Sequence, residues 1–164
     1  MNQRLVTLDK LSKLNKLFLA SPTGNALHDM RIVLTSYLEQ YPDDIFMRLK
    51  LIMIELFPPF EDYNTIEDHI NNIFRYDHEN IQALLILAHV QYIYCGQITQ
   101  DLLLRLMHVK THDTQLLSMI NMAIAWYYEL QNDVGMYEQF LLRSLQLDTE
   151  QSYGYWRRSS WLCL

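Results

Sequence analysis

Short polar junctions recur along this sequence at an almost constant spacing. The residues that stand just before an acidic or polar helix start are Tyr41, Tyr76, Thr111 and Leu147. Their separations are 35, 35 and 36 residues, and each interval is long enough for two helices and a turn. A fixed period of about 34 residues is typical of helix–turn–helix units that must stack on their neighbours to bury their apolar faces. The spacing therefore predicts an all-α solenoid of antiparallel helix pairs.

The amino-acid composition favours helices and excludes both disorder and a β fold. Half of the residues are hydrophobic (50%), which is too many for a disordered chain. Gly and Pro, with four each, are too few for the frequent turns of a β sandwich or barrel. A chain of 164 residues can bury one core, so we expect a single domain covering residues 1–164.

Turn-forming residues divide the sequence into about eight or nine helices. The predicted helices cover approximately residues 5–20, 27–40, 45–57, 62–74, 81–94, 99–109, 114–130 and 134–147, with a ninth after residue 148. The corresponding units are 5–41, 42–76, 77–111 and 112–147, followed by a C-terminal helix at 148–164. In the first helix, steps of three and four residues predict a buried stripe of Leu5, Leu8, Leu11, Leu14, Leu17 and Phe18.

One junction and the helix after it resemble a known repeat family. The segment Tyr76-Asp77-His78-Glu79-Asn80, followed by Ala83-Leu84, Leu87-Ala88 and Gly96, resembles the tetratricopeptide repeat. Small residues that allow close helix approach recur at steps of 35 and 36, at Ala88, Ala123 and Ser159. The resemblance implies a solenoid with a binding groove formed by the first helices of the units. The junction proline of the family is kept only at Pro42, so a related α-solenoid class is the alternative.

Charge, cysteine usage and hydropathy restrict the possible partners and compartment. A net charge of −6 argues against nucleic-acid and anionic-membrane binding and favours a basic protein partner, although it could serve solubility alone. The two cysteines, Cys95 and Cys163, have no disulfide-framework or metal spacing and fit a reducing cytosol. No apolar run approaches the ~20 residues needed to span a bilayer, and no leader-like stretch follows Met1. A cytoplasmic location is therefore expected.

The sequence contains no recognisable catalytic, metal or cofactor motif. Nucleophile elbows, phosphate-binding loops and paired metal-binding histidines are missing. His108 and His112 are four residues apart, but His112 falls in a junction and no third ligand is evident. His89, within an apolar stretch, is interpreted as a half-buried structural histidine. We therefore expect no enzyme activity, no metal and no cofactor.

Two groups of residues are candidates for protein binding. The densest acidic group comprises Glu61, Asp62, Glu67 and Asp68, and it could steer a basic partner. The alternative is that these carboxylates cap helices and solubilise the surface. The aromatic candidates are Tyr92, Tyr127 and Tyr128, since tyrosine commonly anchors interfaces, although repeat packing also uses aromatic residues. Tyr92 and Tyr127 are 35 residues apart, which predicts equivalent positions on successive first helices.

A second resemblance and the missing chemistry suggest a function. The segment from Tyr41-Pro42-Asp43-Asp44 through residues 55–63 is similar to small helical-repeat immunity proteins of bacterial contact-dependent or polymorphic toxin systems. This resemblance implies that the chain binds and occludes a basic toxin domain of the nuclease kind, with no nucleic-acid or membrane partner. The alternative is a secretion chaperone or adaptor that holds a peptide in the repeat groove. The groove positions of chaperone-docking repeat domains correspond to Lys50, Leu85, His89, Ile120 and Ile124, too few cations for their carboxylate clamp. The oligomeric state stays open.

Overall fold

The computed structural model describes residues 2–20 and 24–148, and this part of the chain is helical without any β-strand. It contains eight α-helices, which pack in adjacent pairs. Their bounds are α1 Gln3–Ala20, α2 Gly24–Gln40, α3 Ile45–Glu55, α4 Tyr63–Tyr76, α5 Ile81–Val90, α6 Gln100–His108, α7 Thr114–Leu130 and α8 Val134–Leu147. The predicted all-α class is confirmed. The predicted ninth helix and Ser159 lie outside the described residues.

Side-chain caps explain why the helices begin where they do. In each of six helices, an Asp, Asn or Thr oxygen accepts a hydrogen bond from a backbone N–H in the first turn, which has no partner inside the helix. These capping residues are Asp44, Asp62, Asn80, Thr99, Asp113 and Asp133. The polar junctions that set the repeat spacing therefore act locally as helix starts.

The helices form two compact units, of which the first contains α1–α4. Within it, α1 packs on α2, α2 on α3 and α3 on α4. The core residues of the first three helices include Leu11, Met30, Leu34, Met47 and Leu51, all at most 2% exposed. Within the predicted stripe of α1, Leu11 is buried and Phe18 packs against the core, whereas Leu5 and Leu17 are 63% and 62% exposed. The apolar pattern in the sequence of one helix does not indicate how much of that helix the neighbouring helix covers.

The second unit contains α5–α8, and its most extensive contact joins α7 to α8. At this contact Ser118 and Ser144 are fully buried. The Ser118 hydroxyl donates to the Ser144 carbonyl oxygen at 2.7 Å, and the Ser144 hydroxyl donates to the Ser118 carbonyl oxygen at 2.8 Å. Ala88 and Ala123, the small residues predicted to allow close helix approach, are also fully buried.

Several predicted helix ends shift by a few residues. Gly24, predicted as part of a turn, begins α2, and α3 ends at Glu55, two residues earlier than predicted. The predicted fifth helix changes character near its end: α5 stops at Val90 and the chain continues as a π-helical turn over Gln91–Cys95. Gly96 then closes the helix with φ 62°, a left-handed conformation that glycine adopts at low cost.

Candidate partner-binding surfaces

The outward side of α4 carries an acidic surface. Ile66, Ile70 and Ile73 are fully buried at steps of four and three residues, so Glu67 and Asp68 in the second turn point to solvent. Glu61, in the turn before α4, is also exposed. None of these three carboxylates forms an ion pair with a described residue. We call Glu61, Glu67 and Asp68 the α4 acidic face.

Asp62 differs from its three acidic neighbours because it caps the helix. Its Oδ1 accepts from the Thr65 backbone N–H at 3.3 Å, and its Oδ2 accepts from the Thr65 hydroxyl at 2.8 Å. These bonds to Thr65, the side-chain one first, lower the pKa of Asp62. The capping interpretation therefore accounts for this carboxylate, and its negative charge stands at the favourable end of the helix dipole.

A buried group of charged side chains lies in the same unit, between α2, α3 and α4. Glu55 of α3 has a side chain only 2% exposed. Arg31 Nε donates to Glu55 Oε1 at 3.1 Å, and His69 Nε2 lies 3.3 Å from Glu55 Oε2. The second contact is close but misaligned, so Oε2 has no proper hydrogen-bond partner. The carboxylate is thus neutralised mainly by Arg31.

Arg48 also belongs to this group, and its contact with His69 determines the tautomer of the imidazole ring. Its Nη1 lies 3.1 Å from His69 Nδ1, and its Nη2 donates to the Pro42 carbonyl oxygen at 2.7 Å. A guanidinium only donates, so His69 Nδ1 must accept, and the ring hydrogen is on Nε2, facing Glu55. Burial lowers the pKa of Arg48. We refer to Arg31, Arg48, Glu55 and His69 as the buried charge group.

The aromatic candidates lie in the second unit, where the π-helical turn meets α7. The ring of Tyr92 stacks on Trp126, with centroids 5.0 Å apart and planes at 11°. The Tyr92 hydroxyl donates to Glu129 Oε2 at 2.6 Å. His89 also contacts Trp126, at 6.1 Å between ring centroids. Half-buried Tyr92 is thus held in one position, as an interface anchor requires.

Tyr127 and Tyr128 contact each other edge to face at 5.3 Å, and Tyr128 stacks on Phe140 of α8 at 5.7 Å. Both tyrosines are half-buried. Tyr128 therefore contributes to helix packing, whatever else it does. The acidic candidates lie in the first unit and the aromatic candidates in the second.

Most of the side chains at the groove positions named from the repeat resemblance are buried. Leu85, Ile120 and Ile124 are at most 4% exposed, so they form core rather than an open surface. Burial also lowers the pKa of His89 to about 4, which keeps its imidazole neutral near pH 7. The interpretation of His89 as a half-buried histidine agrees with this environment.

Sequence reasoning missed Trp126, Glu129 and the buried charge group. Trp126 and Glu129 lie on either side of the named Tyr127-Tyr128 pair, and their three-residue spacing places both on one face of α7. The buried charge group gives no local signal, since its members come from three helices.

The described residues hold no group of three His, Cys, Asp or Glu side chains arranged to bind a metal ion. His108 instead donates from Nδ1 to the Leu104 carbonyl oxygen, 2.7 Å away. Among residues 2–20 and 24–148, no helix is both long and apolar enough to cross a membrane. No protein-family model, curated protein or solved structure matches this chain.

Proposed function

We propose that this chain is a non-catalytic protein-binding module of the tetratricopeptide-like helical-repeat kind, and that it acts in the cytoplasm as an immunity protein. In this proposal it binds a basic toxin domain, most simply a nuclease, and covers the toxin's active site. The helix pairs, the acidic net charge of −6 and the repeat spacing of its junctions support this proposal.

The observation that carries the proposal is the α4 acidic face. Its three carboxylates are exposed, and no cation within the described residues neutralises them. Uncompensated surface charge acts over roughly a Debye length, about 8 Å at physiological salt, and raises the encounter rate with an oppositely charged partner. The face therefore suits fast capture of a basic protein.

Stable occlusion requires contacts that slow dissociation as well as charges that speed association. The half-buried ring of Tyr92 is preorganised, because it stacks on the buried Trp126 and its hydroxyl donates to Glu129. Rigid aromatic side chains lose little conformational entropy on binding and are common hot spots. In the proposal, the acidic face governs association and Tyr92 governs dissociation.

The test uses two charge-reversal variants of equal net charge change. Glu67→Lys with Asp68→Lys alters the α4 acidic face, and Glu39→Lys with Glu138→Lys alters exposed carboxylates elsewhere. Asp62 stays unchanged, so the cap of α4 is preserved. The first step is to identify the gene next to that of this chain; where it encodes a basic toxin domain, that domain is the partner used. The measurements are stopped-flow association and titration of the toxin's nuclease activity.

We expect the α4 variant to associate about tenfold more slowly at low salt, with less salt dependence, while the control variant stays near wild type. Equal association rates for the two variants would remove the α4 acidic face from the mechanism. Failure of the wild-type chain to inhibit the neighbouring toxin domain at stoichiometric concentration would refute the immunity function itself.

A further inference from the structure

A second surface, of opposite charge, lies in the second unit. A groove of about 560 Å³ opens between the start of α5 and the end of α6. Its apolar wall includes Ile81, Leu84 and Leu104, and its basic rim includes Arg105, His108 and Lys110. This volume is within the range of ligand clefts, about 300–1,000 Å³.

The positive charge of this groove stands out against an acidic surrounding. Residues 77–148 contain three Lys or Arg residues, namely Arg105, Lys110 and Arg143, and eight Asp or Glu residues. Two of the three cations line this groove, together with a single carboxylate, Glu79. The start of α5, where the helix dipole is positive, forms the opposite side. Over residues 77–148, positive charge is thus concentrated at this groove.

Two of the rim side chains, Arg105 and His108, are held by hydrogen bonds to main-chain carbonyl oxygens. Arg105 donates from Nη2 to the His78 carbonyl oxygen, which holds its guanidinium across the groove. His108 is held by its bond to Leu104. Lys110 lies beyond the last residue of α6 and is exposed, and it forms no ion pair with a described residue.

An exposed apolar side chain adjoins this rim. Leu104 is 48% exposed, and Leu84, only 2% exposed, closes the apolar wall. A ligand that satisfies the groove therefore needs carboxylates for the rim and an aliphatic group for the wall. A protein segment with Asp or Glu near a leucine-like residue provides both, whereas inorganic phosphate provides only the charge.

We propose that the α5–α6 groove binds an acidic segment of a partner protein, with carboxylates at Arg105 and Lys110 and an aliphatic side chain against Leu104. This site is separate from the α4 acidic face and does not depend on the immunity function. The positive rim of the groove selects a negatively charged occupant, which is an acidic segment of a protein partner.

The test is selection of phage-displayed random peptides on the full-length chain, followed by fluorescence polarisation with the enriched peptides. Lys110→Glu and Arg105→Gln change the rim, Leu104→Ser changes the wall, and Arg143→Glu is the control cation outside the groove. Lys110 is exposed beyond the helix, so its variant tests the site even if the Arg105 variant, which loses the bond to His78, fails to fold.

We expect the enriched peptides to be rich in Asp, Glu and aliphatic residues, and Lys110→Glu to weaken their binding by about tenfold while Arg143→Glu changes it little. Binding should also weaken at high salt. Enriched peptides without acidic residues, or equal loss with Arg143→Glu, would overturn the proposal. Tighter binding of a single-stranded oligonucleotide that Lys110→Glu abolishes would assign the groove to nucleic acid instead.

Discussion

Removing the buried carboxylate of Glu55 tests how much the buried charge group contributes to the stability of the first unit. In Glu55→Ala, Arg31 loses its 3.1 Å partner, and His69 Nε2 loses the carboxylate oxygen 3.3 Å away. Breaking a buried ion pair by removing one partner costs about 3–5 kcal/mol. The Arg31 side chain is 37% exposed, so water recovers part of this loss. We therefore expect the lower end, about 3 kcal/mol.

The substitution Glu55→Gln separates charge from shape. The amide keeps an acceptor for Arg31 Nε but removes the negative charge, and a hydrogen bond involving charged groups is worth about 1.5–3 kcal/mol. We expect Glu55→Gln to lose about 1.5 kcal/mol, roughly half of the alanine loss. The matched control, Glu39→Gln, changes an exposed carboxylate of α2 and should stay within about 0.5 kcal/mol of wild type.

The measurements are urea unfolding followed by circular dichroism and hydrogen exchange read by mass spectrometry. Unfolding gives the free energy, and exchange shows whether the loss falls on α2–α4, because the two units need not unfold together. If Glu55→Gln proved as stable as Glu39→Gln, the carboxylate would contribute no net charge stabilisation, and our account of the buried charge group would be wrong.

Three further predictions concern the second unit. The pKa of His89 lies near 4 in the folded chain and near 6.5 in the unfolded chain, so protonation favours unfolding. The free energy of unfolding should therefore fall by about 3 kcal/mol as the pH falls from 6.5 to 4. His89→Gln should flatten this dependence, which urea unfolding at several pH values measures. Ser118→Ala should lower the free energy of unfolding by about 1 kcal/mol, because it removes one hydrogen bond. Ser118→Val should lower it by about 2–3 kcal/mol, because it also adds volume at a fully buried site beside Ser144. Equal losses for the two variants would contradict the close packing of α7 on α8. Tyr128→Ala should lower the melting temperature through its lost contact with Phe140, and an unchanged melting temperature with weakened binding would make Tyr128 an interface anchor instead.

Helix starts were predictable because the chemistry that sets them is local. Asn80, Asp113 and Asp133 each accept from an N–H two or three residues ahead, so a short stretch of sequence contains the whole signal. The exposure of Glu67 and Asp68 followed in the same way, from the periodicity of the isoleucines on α4. Both depend only on neighbours within one or two turns.

Contacts between helices were less predictable because they depend on the path of the backbone. The 35-residue step predicts equivalent positions for Tyr92 and Tyr127, but it contains no information about the stacking of Tyr92 on Trp126. Tyr92 lies in the π-helical turn, where i to i+5 bonding widens the helix and changes the direction of the side chains that follow. The ion pairs of Glu55 join residues 24 and 14 positions away, on other helices, and no local pattern indicates them.

The reciprocal serine bonds between α7 and α8 also determine how these helices align along their lengths. Each hydroxyl reaches the main-chain carbonyl of the opposite serine, so both interhelical bonds form only when Ser118 and Ser144 stand side by side. Sliding one helix by a turn, about 5.4 Å, would break both bonds and leave each hydroxyl to donate within its own helix. Each lost bond would cost about 0.5–1.5 kcal/mol, against a stability that is typically about 5–15 kcal/mol. The pair thus favours one register of α7 against α8 over the offset packings that apolar surfaces alone would allow.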